Sequence, residues 1–551
     1  MALQSFKQAE LQEDYLETLK HLIQVFVGLG RTEKSGVLLA EGTDRLQRLL
    51  DENVTPSPGK RRLIALKFAG FDQLTVDRQI QAAHQLKDDA EINAKLKEAL
   101  ATAEKGKNAC LSWLLYALSD EVASPGYEEM KQLLSPGTAI AYWHLSPVAL
   151  TTFVLKPGEL APILITAPST TERPESLQRL LKLEAWMKEW DDQYQDYRHK
   201  GKEQRDANHS WRRDMAQRLF DRHEEPGNLK EILNIDAIEQ HLDGINHLIL
   251  VPHRDLHRFP LHALFDSRFI VSYLPSIQVG IQLQQQQPSV GDRLLSIENP
   301  ASPDQASLGF ARIEAEGIYH CFNQFENQFE AIREKEADKK QIEASLEGGF
   351  NVFHFAGHAE HIPADPQKSR LILAPDHNAD SENADVNQSY SNDLTLKDLQ
   401  HYDLSTYDLV TLSACETAIT RHQTITTEYV GLVSGFLRSG AAQVVSTLWT
   451  VESAASALVM IEFYRRRQPH KLDSQALAEA LLWLRHLTGA ELQQWRADFI
   501  AQLPETLPPK RKAWIKQSLL GENRDTIQTE PIFSNPYYWA AFTISGRLSN
   551  E

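Results

Sequence analysis

A histidine and a cysteine, each at the end of a short apolar run, are the residues of this sequence best suited to chemistry. The segment Asn351–His361 (NVFHFAGHAEH) carries His358, and the segment Asp408–Thr417 (DLVTLSACET) carries Cys415. Both runs are typical of buried strands that stop at small residues. Sites in open parallel sheets form beyond the carboxyl ends of the strands. If the two strands are neighbours, ~4.8 Å apart, the thiol and the imidazole can converge for acyl-transfer chemistry.

The acidities of the two groups predict their roles. A free thiol is mostly protonated at neutral pH, and a nearby imidazole raises the thiolate fraction. We therefore expect His358 to act as base toward Cys415 and as acid toward the leaving amine. An oxyanion hole needs backbone N–H donors, and the amides of Cys415 and Ala359 are the candidates because they lie at or beside the reactive groups.

Composition limits the other possibilities. The chain has 551 residues, enough for two to four domains, and a formal net charge of -18, which disfavours binding to nucleic acid or anionic membranes. The cysteines Cys110, Cys321 and Cys415 lie far apart without metal-ligand spacing, so we expect no disulfide framework, metal or other cofactor. The sequence shows no signal peptide and no run of ~18 apolar residues, which predicts a cytoplasmic protein. Cys110, Cys321 and His354 are interpreted as structural.

The elements that must position the pair fall into two regions. Residues 1–134 have helical periodicity without a clean repeat and predict a stack of irregular helical hairpins. From residue 135 to 551, short apolar strands alternate with helices, with a helical insertion near residues 174–242. This order predicts an α/β fold with a mainly parallel sheet covered on both faces. The polar segment Asp376–Asn392 is predicted to be a mobile loop. The candidate strands are Ala139–His144, Leu150–Leu155, His247–Pro252, Arg293–Ile297, Asn351–Ala356, Asp408–Ser413, Gln443–Leu448 and Trp539–Ile544.

The two reactive segments resemble the His and Cys motifs of CHAT domains, caspase-like domains of the same clan as caspases and separase. The likeness covers roughly residues 135–548 in the family's order. It implies a caspase-like fold, His358 and Cys415 as a catalytic dyad, and a cysteine endopeptidase that cleaves a protein substrate. Further matching segments are Leu248–Phe265, Ser272–Ser276, Leu394–Leu399, Gly431–Val451 and Asn535–Gly546.

Departures from the family pattern bear on the substrate pocket. Ala359 and Ala418 stand where the family usually has glycine. After Leu-Trp the family commonly reads V-x-D, where this chain has Ser453 preceded by Glu452. A preference for Arg or Lys before the cut is therefore open, and the two residues could instead simply begin the helix Ala454–Arg466. The predicted pocket residues are Ser413, Trp449, Glu452 and Ser453.

The helical region resembles the degenerate tetratricopeptide-like repeats that precede such domains, which implies binding of a protein activator or regulator. Two other functions remain open. One is a caspase-like scaffold without turnover, since fold alone does not establish activity. The other is a cysteine phosphatase, because Cys415 and Arg421 have C-x5-R spacing, although the loop lacks glycine and Glu416 would repel phosphate.

Overall fold

The computed structural model describes residues 12–51, 53–116, 124–165, 175–199, 208–286, 293–303, 305, 307–322, 329–362, 365–375, 392–415, 431–468, 471–505, 507–520 and 529–547. The predicted loop Asp376–Asn392, apart from its last residue, lies outside this range, and so do Glu416, Ala418 and Arg421. The chain divides into two compact units. One consists of residues 1–285, 363–367 and 420–434, and the other of residues 286–362, 368–419 and 435–551.

The first unit begins with helices whose apolar residues recur every three or four positions. Leu16, Leu19 and Ile23 of the first helix are fully buried and form a core with Phe68 and Phe71. Helices described in this unit are α1 (Gln12–Gly28), α2 (Thr32–Leu50), α3 (Pro58–Lys67), α4 (Gly70–His84), α5 (Asp89–Tyr116), α6 (Tyr127–Met130), α7 (Glu175–His199), α8 (Ser210–Arg213), α9 (Leu229–Ile232), α10 (Ile235–Glu239) and α11 (Ile277–Gln284).

Strands of the first unit follow the order β5-β4-β1-β2-β3. Strand β1 runs parallel to β4 and β4 parallel to β5, whereas β2 and β3 add antiparallel strands. Strands β1 and β2 are buried along their whole length, because residues on both faces of each strand are covered by other parts of the protein. The bounds are β1 (Thr138–Leu145), β2 (Leu150–Leu155), β3 (Ile163–Ile165), β4 (His247–Val251) and β5 (Ile270–Tyr273).

The polar stretch after β3 is helical over much of its described part. Helix α7 spans Glu175–His199, and the described residues from 208 on begin with α8 and a π-helical turn (Gln217–Asp221). The helix nevertheless has an apolar stripe, because Trp186 stacks on Trp190 at 5.2 Å and both rings contact Phe259. Trp211 packs edge-on against Trp190. Aromatic packing of this kind anchors an otherwise polar helix.

The second unit contains the two segments of chemical interest. Its strands follow the order β10-β9-β8-β11-β12-β13, with β6 beside β8 and β7 beside β6. The bounds are β6 (Leu294–Glu298), β7 (Phe329–Arg333), β8 (Val352–Glu360), β9 (Arg370–Ile372), β10 (Leu394–Thr395), β11 (Leu409–Cys415), β12 (Gln443–Thr447) and β13 (Phe542–Gly546). The helices are α12 (Gly309–Phe322), α13 (Lys339–Leu346), α14 (Leu396–Leu399), α15 (Leu432–Arg438), α16 (Ser453–Arg466), α17 (Asp473–His486), α18 (Gly489–Gln502), α19 (Pro509–Leu520) and α20 (Pro536–Trp539). Of α15, residues 435–438 belong to this unit.

Strand β8 has three partners, which explains its length. Along one edge it pairs in parallel with β11, and along the other its first half pairs with β6 and its second half with β9. The exchange occurs at Asn299, which takes a positive φ of 47° and donates its backbone N–H to the carbonyl of Ala356 at 2.7 Å. An asparagine tolerates this left-handed conformation better than most residues, so the chain turns away here and leaves room for β9.

The predicted mixed α/β class with a largely parallel sheet is confirmed, and so is an N-terminal helical region. The boundary at residues 134/135 stays a prediction. The predicted strand Trp539–Ile544 begins too early, because Asn535 caps a short helix with Pro536 in its first turn. In the described part of the chain, no helix has the length and apolar character that crossing a membrane requires.

Gly435 illustrates how tightly the second unit is packed. A Cβ at this position would collide with the side chain of Leu396, which is fully buried and cannot swing into solvent. We expect Gly435→Ala to lower the free energy of unfolding by about 1–2 kcal/mol, because overpacking outweighs the gain in helix propensity. Urea unfolding tests this. Gly59→Ala in α3 is the control, since a Cβ there meets nothing within 4 Å. Equal midpoints for both variants would contradict the expectation.

Candidate functional site

The backbone register places the two reactive positions side by side. In the parallel ladder of β8 and β11, His358 is the direct partner of Cys415, and Gly357 is the partner of Ala414. Neighbouring strands lie ~4.8 Å apart, and positions in register share a face of the sheet. The sequence places both residues just beyond their strands, and this detail is wrong. Strand β8 continues through His358 to Glu360, and Cys415 is the last residue of β11.

The segment around β8 contains three histidines, and their surroundings differ. His354 is fully buried, and its Nδ1 lies 2.6 Å from Oγ1 of Thr411. His361 is buried too, with Nδ1 at 3.0 Å from the hydroxyl of Ser369, and burial lowers its pKa to about 4. His358 is half-buried. A proton carrier must be reachable from the substrate, and His358 is the least buried of the three.

A cleft lies beside the paired positions 357 and 414. The cleft is narrow: the centre of a water molecule can reach about 30 Å³ of it, within a wider void of about 410 Å³ that includes open solvent. Hydroxyl groups and small apolar side chains dominate the wall, and the hydroxyls of Ser413 and Ser456 lie 3.3 Å apart. Its lining consists of Leu308, Ala311, Glu314, Gly357, Ser413, Ala414, Thr447, Val451, Ser453 and Ser456.

Close packing fixes the backbone at this edge of the cleft. Thr447 of β12 donates its hydroxyl to the carbonyl of Ala414 at 3.0 Å, one residue before Cys415. Gly357, one residue before His358, has no space for a side chain, because a Cβ would lie 2.7 Å from the ring of Phe355. Both strand ends are therefore held by contacts from neighbouring residues, as a preorganised site requires.

The structure brings only part of the predicted pocket into this cleft. Ser413 and Ser453 line it. Trp449 is buried elsewhere, and its indole N–H donates to the carbonyl of Tyr537 at 3.0 Å. Glu452 is exposed at the N-cap of α16, which agrees with the interpretation that this residue simply precedes a helix. Ala359, the proposed oxyanion donor, lies in the β8–β9 ladder opposite Leu371.

Glu314 is the main residue that sequence reasoning missed. It lines the cleft from α12, is 4% exposed, and has Oε1 at 3.2 Å from Nε2 of His354. Helix α12 precedes β8 in the chain by some distance, so no local spacing connects them. The available signal was an acidic residue at a helix position that the surrounding apolar periodicity marks as buried.

No metal site emerges from the described residues, in which no group of three or more His, Cys, Asp or Glu side chains is arranged to hold an ion. The chemistry of the lining agrees with this finding, because hydroxyls and a single carboxylate do not make a ligand set for a transition metal.

The chain is similar to one protein family and to several solved structures. Residues 223–547, more than half of the chain, match the CHAT domain. No curated protein matches the chain. A crystal structure of the Saccharomyces cerevisiae separase–securin complex at 2.6 Å matches with a TM-score of 0.51 and 11% identity over 97% of this chain and 40% of that chain.

Two further solved structures are less similar. A second structure of the separase–securin complex, at 3.0 Å, has a TM-score of 0.41 and 11% identity over 99% of this chain and 48% of that chain. The complex of Porphyromonas gingivalis RgpB pro- and mature domains has a TM-score of 0.34 and 8% identity, over 57% of this chain and 67% of that chain.

This chain spans less than half the length of the separase chains it matches. At this identity the first match shows the fold alone. The profile match shows more: this chain belongs to the CHAT domain family.

Proposed function

We propose that this protein is a cysteine endopeptidase that cleaves a protein substrate with Cys415 as nucleophile and His358 as general acid and base. The observation that carries the proposal is the register of the parallel ladder, in which these two positions are direct partners. The hydrogen bond from Thr447 to the carbonyl of Ala414 supports it, because a preorganised site needs a fixed backbone beside the nucleophile.

The proposed reaction has two steps. His358 takes the thiol proton of Cys415, and the thiolate sulfur attacks the carbonyl carbon of the peptide bond. The oxyanion that forms is stabilised by backbone N–H groups, with Ala359 and Cys415 as the proposed donors. The tetrahedral species collapses, the C–N bond breaks, and His358 gives its proton to the leaving amine. Water, deprotonated by His358, then hydrolyses the thioester and frees the thiol.

Covalent labelling tests the proposal without knowledge of the natural substrate. A set of peptidyl acyloxymethyl ketones, which alkylate an active thiolate, is incubated with the protein, and the modified residue is identified by mass spectrometry. We expect labelling at Cys415 in the wild type and none in Cys415→Ala. Wild-type protein that no probe labels at Cys415, or equal labelling of both proteins, would overturn the proposal and favour a scaffold role.

Cys321→Ala is the matched control for this experiment. The Cys321 thiol is half-buried, and burial raises its pKa to about 11. A thiol in this state is almost entirely protonated at neutral pH and reacts slowly. Labelling of Cys321→Ala should therefore equal that of the wild type.

Regulation by a protein partner is the second part of the proposal, with the N-terminal helices as its binding surface. Apolar side chains on these helices are unusually exposed, as Val37 at 72% and Leu63 at 69% illustrate. Stacks of helical hairpins bind partners along an extended surface, and exposed apolar side chains on that surface can take part in such binding. The matched separase was itself crystallised in a complex with securin.

A further inference from the structure

An open groove lies in the second unit, beside α17. The centre of a water molecule can reach about 390 Å³ of it, compared with about 30 Å³ of the cleft beside positions 357 and 414. This α17 groove therefore has room for several side chains of another protein. Much of its wall comes from α17 and the residue after it, namely Glu479, Leu482, Trp483, His486 and Leu487.

The groove face of α17 is its outer face. Positions 479, 482, 483 and 486 lie together because residues three and four apart stack along a helix. The opposite face is buried, with Leu477, Ala480 and Leu484 at most 3% exposed. On the groove face, by contrast, Leu482 is 46% exposed and Trp483 is half-buried. Covering these two apolar side chains with another protein would remove them from water, which favours association.

The walls of the α17 groove are held by contacts within the unit. The guanidinium of Arg466 lies 5.5 Å from the centre of the Trp483 ring and also pairs with Glu462. Oε2 of Glu479 lies 2.5 Å from Nζ of Lys471. The groove is therefore preformed, and a protein that enters it loses little affinity to the ordering of these side chains.

The outer face of α17 is complementary to itself when two such helices pack antiparallel. With a two-fold axis between positions 482 and 483, Leu482 lies opposite Trp483 of the second copy. Glu479 then lies opposite His486 of the second copy. The helix is acidic in its first turn, at Asp473, and basic in its last turn, so each end meets the opposite charge of the other helix.

We propose that the α17 groove binds α17 of a second copy of this chain, in a two-fold symmetric dimer. Leu482 of each copy enters the groove of the other and packs beside Trp483 and Leu487. A second copy fits better than a purely basic or purely acidic partner, because the groove carries both signs of charge and the helix offers both in the matching order. One helix pair buries little area, so we expect a reversible dimer with a Kd in the micromolar range.

Analytical ultracentrifugation of the full chain over a concentration series measures this Kd. We expect Leu482→Glu to raise it by about tenfold or more, because an apolar side chain of each copy leaves the interface and like charges meet near the axis. Leu181→Glu is the matched control, since Leu181 is a leucine of α7 with the same exposed fraction, 46%. It should keep the wild-type Kd. A wild type that stays monomeric at every concentration, or an unchanged Kd in Leu482→Glu, would overturn the proposal.

Disulfide cross-linking tests the antiparallel register. The double variant Glu479→Cys/His486→Cys should form dimers under mild oxidation that are linked through positions 479 and 486, as mass spectrometry of the linked peptides identifies. Each single variant should give no link between its own introduced cysteines, because these lie about 10 Å apart along the helix axis, too far for a disulfide. A dimer in which the double variant forms no such link would overturn the register.

Discussion

Replacing His358 by alanine is expected to slow alkylation of Cys415 by a peptidyl acyloxymethyl ketone about 10²–10⁴-fold at neutral pH, the range that a positioned general base contributes. Without the imidazole, the thiol must ionise unaided, and a free thiol is mostly protonated at this pH. The measurement is the second-order rate constant of labelling, followed by mass spectrometry on the intact protein.

The pH dependence of the labelling rate tests the role of His358 most directly. Between about pH 6 and about pH 9.5 the rate of the variant should rise toward that of the wild type, because Cys415 then ionises without help. His401→Ala is the control. His401 is exposed at the end of α14, and its replacement should leave the rate within about twofold. A constant ratio between wild type and His358→Ala across this pH range would argue that His358 does not activate the thiol.

The sequence was sufficient to locate the strands that carry His358 and Cys415. Their apolar runs are long enough to be buried, and their order with the intervening helices predicts a mainly parallel sheet. The register between β8 and β11, by contrast, could not be predicted from the sequence. The pairing of His358 with Cys415 depends on contacts between segments more than fifty residues apart, and a single-residue slip would move one of them to the opposite face. No local pattern encodes that choice.

The ends of the strands and the wall of the cleft were also beyond local reasoning. Strand β8 is longer than its apolar run because β9 takes over from β6 at its edge, and this exchange depends on a left-handed turn at Asn299. The cleft likewise collects residues from α12 and α16, and no local spacing in the sequence connects these helices to the strands. Glu314 and Ser456 were therefore missed, whereas the predicted pocket residues Ser413 and Ser453 line the cleft.

The largest pH effect on stability is expected from Asp77 of α4, in the first unit. The side chain is 4% exposed, and the hydroxyl of Ser146 favours its charged form. Burial raises its pKa from 3.8 to about 8, and the nearby hydroxyl of Ser146 opposes this only in part. The folded protein therefore holds a neutral acid at this position under neutral conditions.

The sign of the effect follows from the two pKa values. Below about pH 4 the acid is protonated in both the folded and the unfolded state, so its stabilising contribution is complete. Between about pH 4 and about pH 8 only the unfolded state releases the proton, and stability falls as the pH rises, by about 1.4 kcal/mol per unit. Above this window both states are ionised and the dependence ends.

Asp77→Asn is expected to remove this dependence, because the amide stays neutral in both states. Near pH 8 the variant should be more stable than the wild type, by about 5 kcal/mol before the cost of burying an amide is subtracted. Urea unfolding of both proteins at several pH values between 5 and 8 measures the difference. Asp44→Asn is the control, since the Asp44 side chain is 59% exposed and pairs with Arg48 on the surface. If the difference between wild type and Asp77→Asn stays constant over this pH range, Asp77 must be ionised in the folded state, and the hydroxyl of Ser146 must compensate its charge far better than the geometry indicates.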